Sequence, residues 1–284
     1  MIRNFILRLF VFGGLFILVV FLFWNALLIH RESICKTNAN KLFLGTSRIQ
    51  FSIDDRMIPN ALNAGLNADD YIFSYLKLKL LKKYNHQIDT VYLICDRGTV
   101  YSSFHISEDK FHPYYWDLLD LEDWNKIIRY DRACFSLPLY WLKILPLVKS
   151  YFGPVSFQDL GIGQFSELYR NKLQEDIRRK KDNFSENYSV DKMQKFYLDR
   201  IVEFCRQNHI QLFFLNTPSH KSSFNKKAED ILDDFLKTNY SDVVYYDFEY
   251  IDIPDSCFGD VGHLNYKGAK YFTSFLIDTL KLEH

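Results

Sequence analysis

Cysteine is sparse in this chain and is never paired in sequence: Cys35, Cys95, Cys134, Cys205 and Cys257 contain no Cys-x-x-Cys. Zinc and dithiol redox motifs are therefore absent, and neither a metal nor a cofactor is expected. An odd count would leave at least one thiol unpaired in an exported domain, and Cys95 and Cys205 fall within apolar patterns that suit buried hydrophobes. Net charge is missing as well, because 35 Lys and Arg balance 35 Asp and Glu. A general nucleic-acid binder gains affinity by neutralising phosphates with a basic surface, so no nucleic-acid partner is expected. The Gly-Thr-Ser at residues 45–47 is not followed by the Gly-Lys-Ser/Thr of a nucleotide loop, which leaves phosphate binding there with little support.

Charge is also absent from residues 9–29, where Asn25 is the one strongly polar residue. About 20 apolar residues suffice to cross a bilayer core, so this run reads as a membrane anchor with the lipid bilayer as its partner. A cleaved signal peptide is the alternative. It fits less well, because its apolar region is typically about 7–15 residues and ends in a small-x-small site that this run lacks. Arg3 and Arg8 precede the span while Arg31, Lys36 and Lys41 follow it, so basic flanks do not orient it.

What remains is the composition of one substantial core, with 48% hydrophobic and 25% charged residues. Aromatics reach 17%, many of them between positions 104 and 152, which suits core and membrane-interface packing before a sugar-stacking surface. Apolar runs at residues 41–45, 91–95, 211–215 and 243–247 read as strands, with a short fifth at 61–64. Helical spacing is clearest over 191–208, where Met193, Tyr197, Ile201 and Phe204 recur. Short buried strands alternating with helices predict an α/β domain with a mostly parallel sheet covered on both faces. Ligands of such sheets bind beyond the carboxyl ends of the strands, where Ser47, Gly65, Asp96 and Thr217 fall.

The expected organisation is an anchor at residues 1–35 and an α/β domain at 36–284, with a helical, aromatic-rich insertion at about 99–190. Helices are expected within that insertion around residues 118–130, 137–151 and 165–181. The basic run at 178–181 reads as a solvated helix end, with phosphate or anionic-lipid contact as the lesser alternative.

Two segments carry the chemistry. At the front, Leu42-Phe43-Leu44-Gly45-Thr46-Ser47-Arg48 reads as a buried strand delivering a serine to a sharp turn before a helix. At the back, Gly259-Asp260-Val261-Gly262-His263-Leu264-Asn265 precedes an amphipathic final helix at about 269–280, which puts His263 on a loop. A serine hydroxyl is a weak nucleophile until a base takes its proton; His263 would do so, oriented by Asp260, which also stabilises the imidazolium. The backbone N–H groups of Ser47 and Gly65 are candidates to receive the oxyanion. Taken singly, Ser47 reads as a helix N-cap and Asp260 as a turn former, and Asp109 with His112 makes a second Asp-x-x-His. In Thr217-Pro218-Ser219-His220, His220 would lie near the same face, where it reads first as a loop histidine with its hydrogen bonds satisfied.

Through residues 45–48, Asn63-Ala64-Gly65 and residues 260–268, in this order, the chain resembles the SGNH (GDSL-like) hydrolase superfamily. Within it, the membrane-anchored D-alanyl-transfer and polysaccharide O-acyltransferase proteins look most similar. That resemblance implies a flavodoxin-like three-layer α/β/α fold, preceded by one transmembrane helix, with Ser47, Asp260 and His263 catalytic. It implies an acyltransferase or esterase acting through an acyl-serine, outside the cytoplasm, on a cell-envelope glycan or related polymer. A membrane protein that donates the acyl group would be a further partner. The superfamily's asparagine after the next strand is missing, since that strand ends in Cys95-Asp96-Arg97-Gly98. An ionised Asp96 cannot donate, which leaves Asn67 or Arg97 as substitutes. The departure also keeps open a membrane-tethered binding or assembly protein with a decayed site.

Overall fold

The computed structural model describes residues 2–104, 113–130, 157, 161–179 and 188–282. The expected helix at 137–151, the Asp109/His112 pair and Cys134 lie outside the described residues. Five strands form one wholly parallel sheet: β1 (Lys41–Leu44), β2 (Ala61–Asn63), β3 (Thr90–Ile94), β4 (Gln211–Asn216) and β5 (Val244–Asp247). Their order, β2-β1-β3-β4-β5, is that of a flavodoxin-like doubly wound sheet, in which the chain switches direction between β1 and β3.

Nine α-helices are described: α1 (Ile2–Cys35), α2 (Ser47–Ser52), α3 (Tyr71–Tyr84), α4 (Arg97–Val100), α5 (Leu121–Tyr130), α6 (Leu173–Arg179), α7 (Lys192–Gln207), α8 (Lys226–Asn239) and α9 (Tyr266–Leu280). Alternation along the strands sorts the core into two halves. Leu42 and Leu44 of β1, with Val91 and Leu93 of β3, pack with α3, α7 and α8. Phe43, Tyr92, Ile94 and Leu215 point the other way, onto α2 and α9 through Ile49, Phe272 and Leu276. Both faces are thus covered, as a parallel sheet requires.

The α1 helix is longer than the expected span, and its apolar stretch, Asn4–Leu22, is long enough to cross a membrane and is unburied. Its other end is part of the domain. Arg31 is fully buried and donates to both oxygens of Asp117, at 2.6 and 2.9 Å, and to the Tyr84 hydroxyl and Tyr114 carbonyl. Cys35 is buried, and its carbonyl accepts from Asn85 Nδ2 at the end of α3.

Two expected helices within the insertion are shorter than their patterns. In place of 118–130, Pro113–Leu118 forms a 3-10 helix and α5 starts at Leu121. Asp120 sets that start, because its Oδ1 accepts from the Glu122 and Asp123 amides while Asp123 Oδ2 accepts from the Asp120 amide. Among the described residues of 165–181, only Leu173–Arg179 is helical. The preceding residues run as an extended strap whose backbone bonds go outward: Ser166 N–H to Gln50 O, the Leu168 carbonyl to Tyr266 N–H, and Lys172 N–H to Gly259 O. Those partners sit on α2, on the loop before α9 and at the first residue of α9, and they take the place of a helical ladder.

Candidate functional site

The turn after β1 needs a glycine. Gly45 has φ of +142°, and a Cβ there would lie 2.1 Å from Ile94 Cγ2, so a larger residue would be strained and blocked at once. Thr46 then caps α2, its hydroxyl accepting from the Arg48 amide at 3.3 Å. The cap is thus Thr46 rather than Ser47, which leaves the Ser47 side chain for other partners. Ser47 is the first helical residue and its N–H has no carbonyl partner within the helix.

At the other end of the chain, the loop ahead of α9 folds on itself. Gly259 N–H donates to the His263 carbonyl at 2.9 Å, Phe258 and Leu264 form a short antiparallel bridge, and Asn265 caps α9 by accepting from Lys267 and Gly268. His263 is thereby held over the start of α2, with its ring edge-on to Phe51 at 5.7 Å. Ser47 Oγ lies 2.8 Å from His263 Nε2, and His263 Nδ1 lies 2.8 Å from Asp260 Oδ1.

Asp260 is buried, which by itself would raise its pKa, but the hydrogen bond and charge of His263, the Gly262 amide and Arg170 outweigh burial and hold it below the ordinary carboxylate value. Arg170, from the strap, sits 3.1 Å from Asp260 Oδ2. An ionised carboxylate only accepts, so His263 Nδ1 carries the proton and Nε2 is left to accept from the Ser47 hydroxyl. Serine, imidazole and carboxylate are therefore connected in one relay across 216 residues of sequence.

Ser47 and His263 open onto a cavity of about 610 Å³, which is also lined by Arg48, Asn67, Asp69, Asp70, Asp96 and Thr99. Asn67 stands on its wall, its backbone N–H donating to Gln50 Oε1 at 2.9 Å. The other two oxyanion candidates are committed elsewhere. The Gly65 N–H donates to Asn63 Oδ1 at 2.9 Å, in a turn packed so tightly on Ile49 and Gln50 that a Cβ would sit 2.7 Å from the Gln50 nitrogen. The Arg97 guanidinium is held by the Ser223 carbonyl, by Glu229 at 3.0 Å and by Glu249 at 3.3 Å.

Asp96 caps α4, accepting from Thr99 N–H at 2.7 Å, and its second oxygen faces Arg48 at 3.1 Å. His220 is buried beside a separate small cavity, 2.8 Å from Ser222 Oγ and 3.3 Å from Asp255. It is a loop histidine with partners of its own. Among the described residues no cluster of three or more His, Cys, Asp or Glu could hold a metal ion.

A family model that names no activity matches residues 164–282, less than half of the chain. No curated protein matches. Among solved structures, one provisionally named as a platelet activating factor from Streptococcus pneumonia is 12% identical, with a TM-score of 0.44 over 93% of this chain and 98% of that one. Another, provisionally named an acylhydrolase, from Bacteroides fragilis, is 8% identical, with a TM-score of 0.38 over 87% of this chain and 88% of that one.

Sequence reasoning passed over Arg170 and Arg48. Nothing in a lone arginine on an extended strap marks it as the partner of a carboxylate 90 residues later. Arg48 could have been suspected, because a charge beside a buried Gly-Thr-Ser turn needs a partner.

Proposed function

We propose that this protein is a membrane-anchored, SGNH-like serine acyltransferase or esterase that forms an acyl-serine on Ser47. The observation that carries the reading is the relay of Ser47, His263 and Asp260, with its hydroxyl at the carboxyl end of a parallel sheet and beside a cavity. In the first step the Ser47 oxygen attacks the carbonyl carbon of an acyl donor while His263 Nε2 takes the hydroxyl proton. The tetrahedral oxyanion is received by the Ser47 N–H and the Asn67 side chain. Collapse expels the donor's alcohol or thiol, which takes the proton from His263. An acceptor hydroxyl, or water, then repeats the sequence in reverse and frees Ser47. Asp260 keeps the imidazole in the required tautomer and stabilises its cationic form.

The acceptor in this reading is a hydroxyl of a cell-envelope glycan or related polymer, the donor is presented by a membrane partner, and α1 holds the domain at the bilayer on its outer side. The test is covalent. Folded protein should react with a fluorophosphonate at Ser47, as seen by mass spectrometry, and Ser47→Ala should abolish the adduct. Given an activated acyl ester, it should turn over faster when an oligosaccharide is present, with acyl groups appearing on the sugar. Equal rates with and without a broad glycan panel would make it an esterase.

A non-catalytic binding or assembly protein is the second reading, and two observations favour it: an acidic residue, Asp96, stands where a neutral donor is expected, and the Gly65 amide is already engaged. Absence of any Ser47 adduct in folded protein, alongside a labelled hydrolase as control, would select it.

A further inference from the structure

Arg48 follows Ser47 directly, yet its side chain leaves α2 and crosses the ends of the neighbouring strands. It is only 12% exposed. Its Nε donates to Thr217 Oγ1 at 3.2 Å and its Nη2 to the Thr217 carbonyl, just past β4. Its Nη1 faces Asp96 Oδ2, just past β3, at 3.1 Å, and Glu249 Oε1, past β5, at 3.8 Å. Neither of those two carboxylate oxygens has a well-aligned hydrogen bond among the described residues; the charge of Arg48 holds Asp96 Oδ2, while Glu249 Oε1 is shared with Arg97, which is nearer at 3.3 Å. One guanidinium thus ties the serine turn to three strand ends. Arg48 also lines the cavity that Ser47 and His263 share.

This arrangement answers one oddity of the site, the acidic Asp96 where a neutral donor is expected. An ionised Asp96 beside a developing oxyanion would oppose it, and Arg48 cancels that charge. A lysine could supply the charge but not the fork that grips Thr217 and Asp96 at once. Because the α2 turn begins with Thr46-Ser47-Arg48, any slack in the arginine passes to the serine one residue away, and a misplacement of about 1 Å can cost about a hundredfold in rate. Resting on the acyl-serine reading, we infer that Arg48 is a positioning residue for Ser47, held in place by Asp96 and Thr217 and neutralising Asp96 at the oxyanion side of the cavity.

The experiment compares the rate at which a fluorophosphonate labels Ser47 in the full-length protein in nanodiscs, with the melting temperature recorded for every variant. Kcat and KM for an activated acyl ester are measured in parallel. Arg48→Met keeps an unbranched apolar stem and removes the charged fork. It should label about 100-fold more slowly and lose a similar factor in kcat, with KM changed less than about threefold, since positioning and charge act on the transition state. Arg48→Lys should recover part of that loss, by about tenfold, and Thr217→Val should lose a few-fold by freeing one arm of the fork.

In the double variant Arg48→Met with Asp96→Asn, labelling should be faster than in Arg48→Met, because the Asp96 charge that Arg48 no longer cancels has been removed. A purely structural arginine would lower the melting temperature and leave the labelling rate of the folded fraction unchanged; that result overturns the inference. If Arg48→Met does not fold, wild-type labelling rates in both Arg48→Lys and Thr217→Val overturn it equally. Wild-type protein that takes no label overturns the acyl-serine reading and this role with it.

Discussion

At the residue scale the relay depends on the charge state of Asp260, and that state is set by neighbours drawn from both segments around it. Asp260→Asn keeps the shape but reverses the hydrogen-bond polarity, and it is expected to lower kcat about 10³-fold or more with the fold intact. Arg170→Ala removes a half-exposed partner of Asp260, so a loss of less than about tenfold is expected in the same assay.

A different carboxyl gives the pH signature of the fold. Glu229, on α8, is desolvated by burial and repelled by Glu249, with Arg97 and the Tyr250 hydroxyl acting in the opposite sense, and it is pushed up to about 7. Its folded value lies above its unfolded one, so the native state binds the extra proton. Its contribution to stability is therefore full below about pH 4.5 and lost as pH rises through about 7. Urea melts of wild type and Glu229→Gln at pH 4.5, 6 and 8 should diverge in that direction, with the wild type losing more stability as pH rises. Parallel curves would show that Glu229 titrates normally.

At the element scale, the β1 strand and its turn are the least tolerant part of the site. Gly45→Ala would force a Cβ into Ile94 at a positive φ, and a loss of about 3 kcal/mol or more is expected by chemical denaturation. The junction of α1 with the domain is similarly fixed. Asp117→Ala would leave the guanidinium of Arg31 buried against Tyr84 and Tyr114 alone, and a loss of about 3 kcal/mol is expected. Thermal melting of that variant within a degree of wild type would mean that the salt bridge contributes little.

Elements also differ in how far they could be read. The α7 helix, with its apolar residues at helical spacing and Asp191 as cap, matches its pattern. The α3 helix left a weak pattern because most of it is buried, including polar Ser74 and Lys77, so no polar face alternates with an apolar one. Lys77 lies inside because it donates to the Ala64 carbonyl at 2.8 Å and pairs with Asp69, a satisfaction visible only once β2 and α3 are packed.

At the scale of the whole molecule, the apolar stretch of α1 lies unburied while Arg31, near the end of the same helix, is buried against Tyr84, Tyr114 and Asp117. Full-length protein should sediment with phospholipid vesicles, whereas protein starting at Arg31 should stay in solution and label at Ser47 at the same rate. Reporter fusions after Lys41 and after Leu280 should both report the outer side of the membrane. A cytoplasmic signal from either would reverse the proposed topology.

The sequence by itself determined the parallel α/β sheet, because runs such as Leu42-Phe43-Leu44 and Gln211 to Leu215 are short, apolar and bounded, and only a sheet covered on both faces accommodates them. It also marked the serine turn and the Asp-x-x-His loop, since both signals are local in the chain. Tertiary structure alone decided what met what. It brought Ser47 to within 2.8 Å of His263, replaced the expected helix before residue 173 with a strap carrying Arg170, engaged the Gly65 amide and sent Arg48 across to Asp96. Those outcomes come from contacts between segments far apart in sequence, where the identity of a residue sets what it can bond but packing sets which partner is within reach.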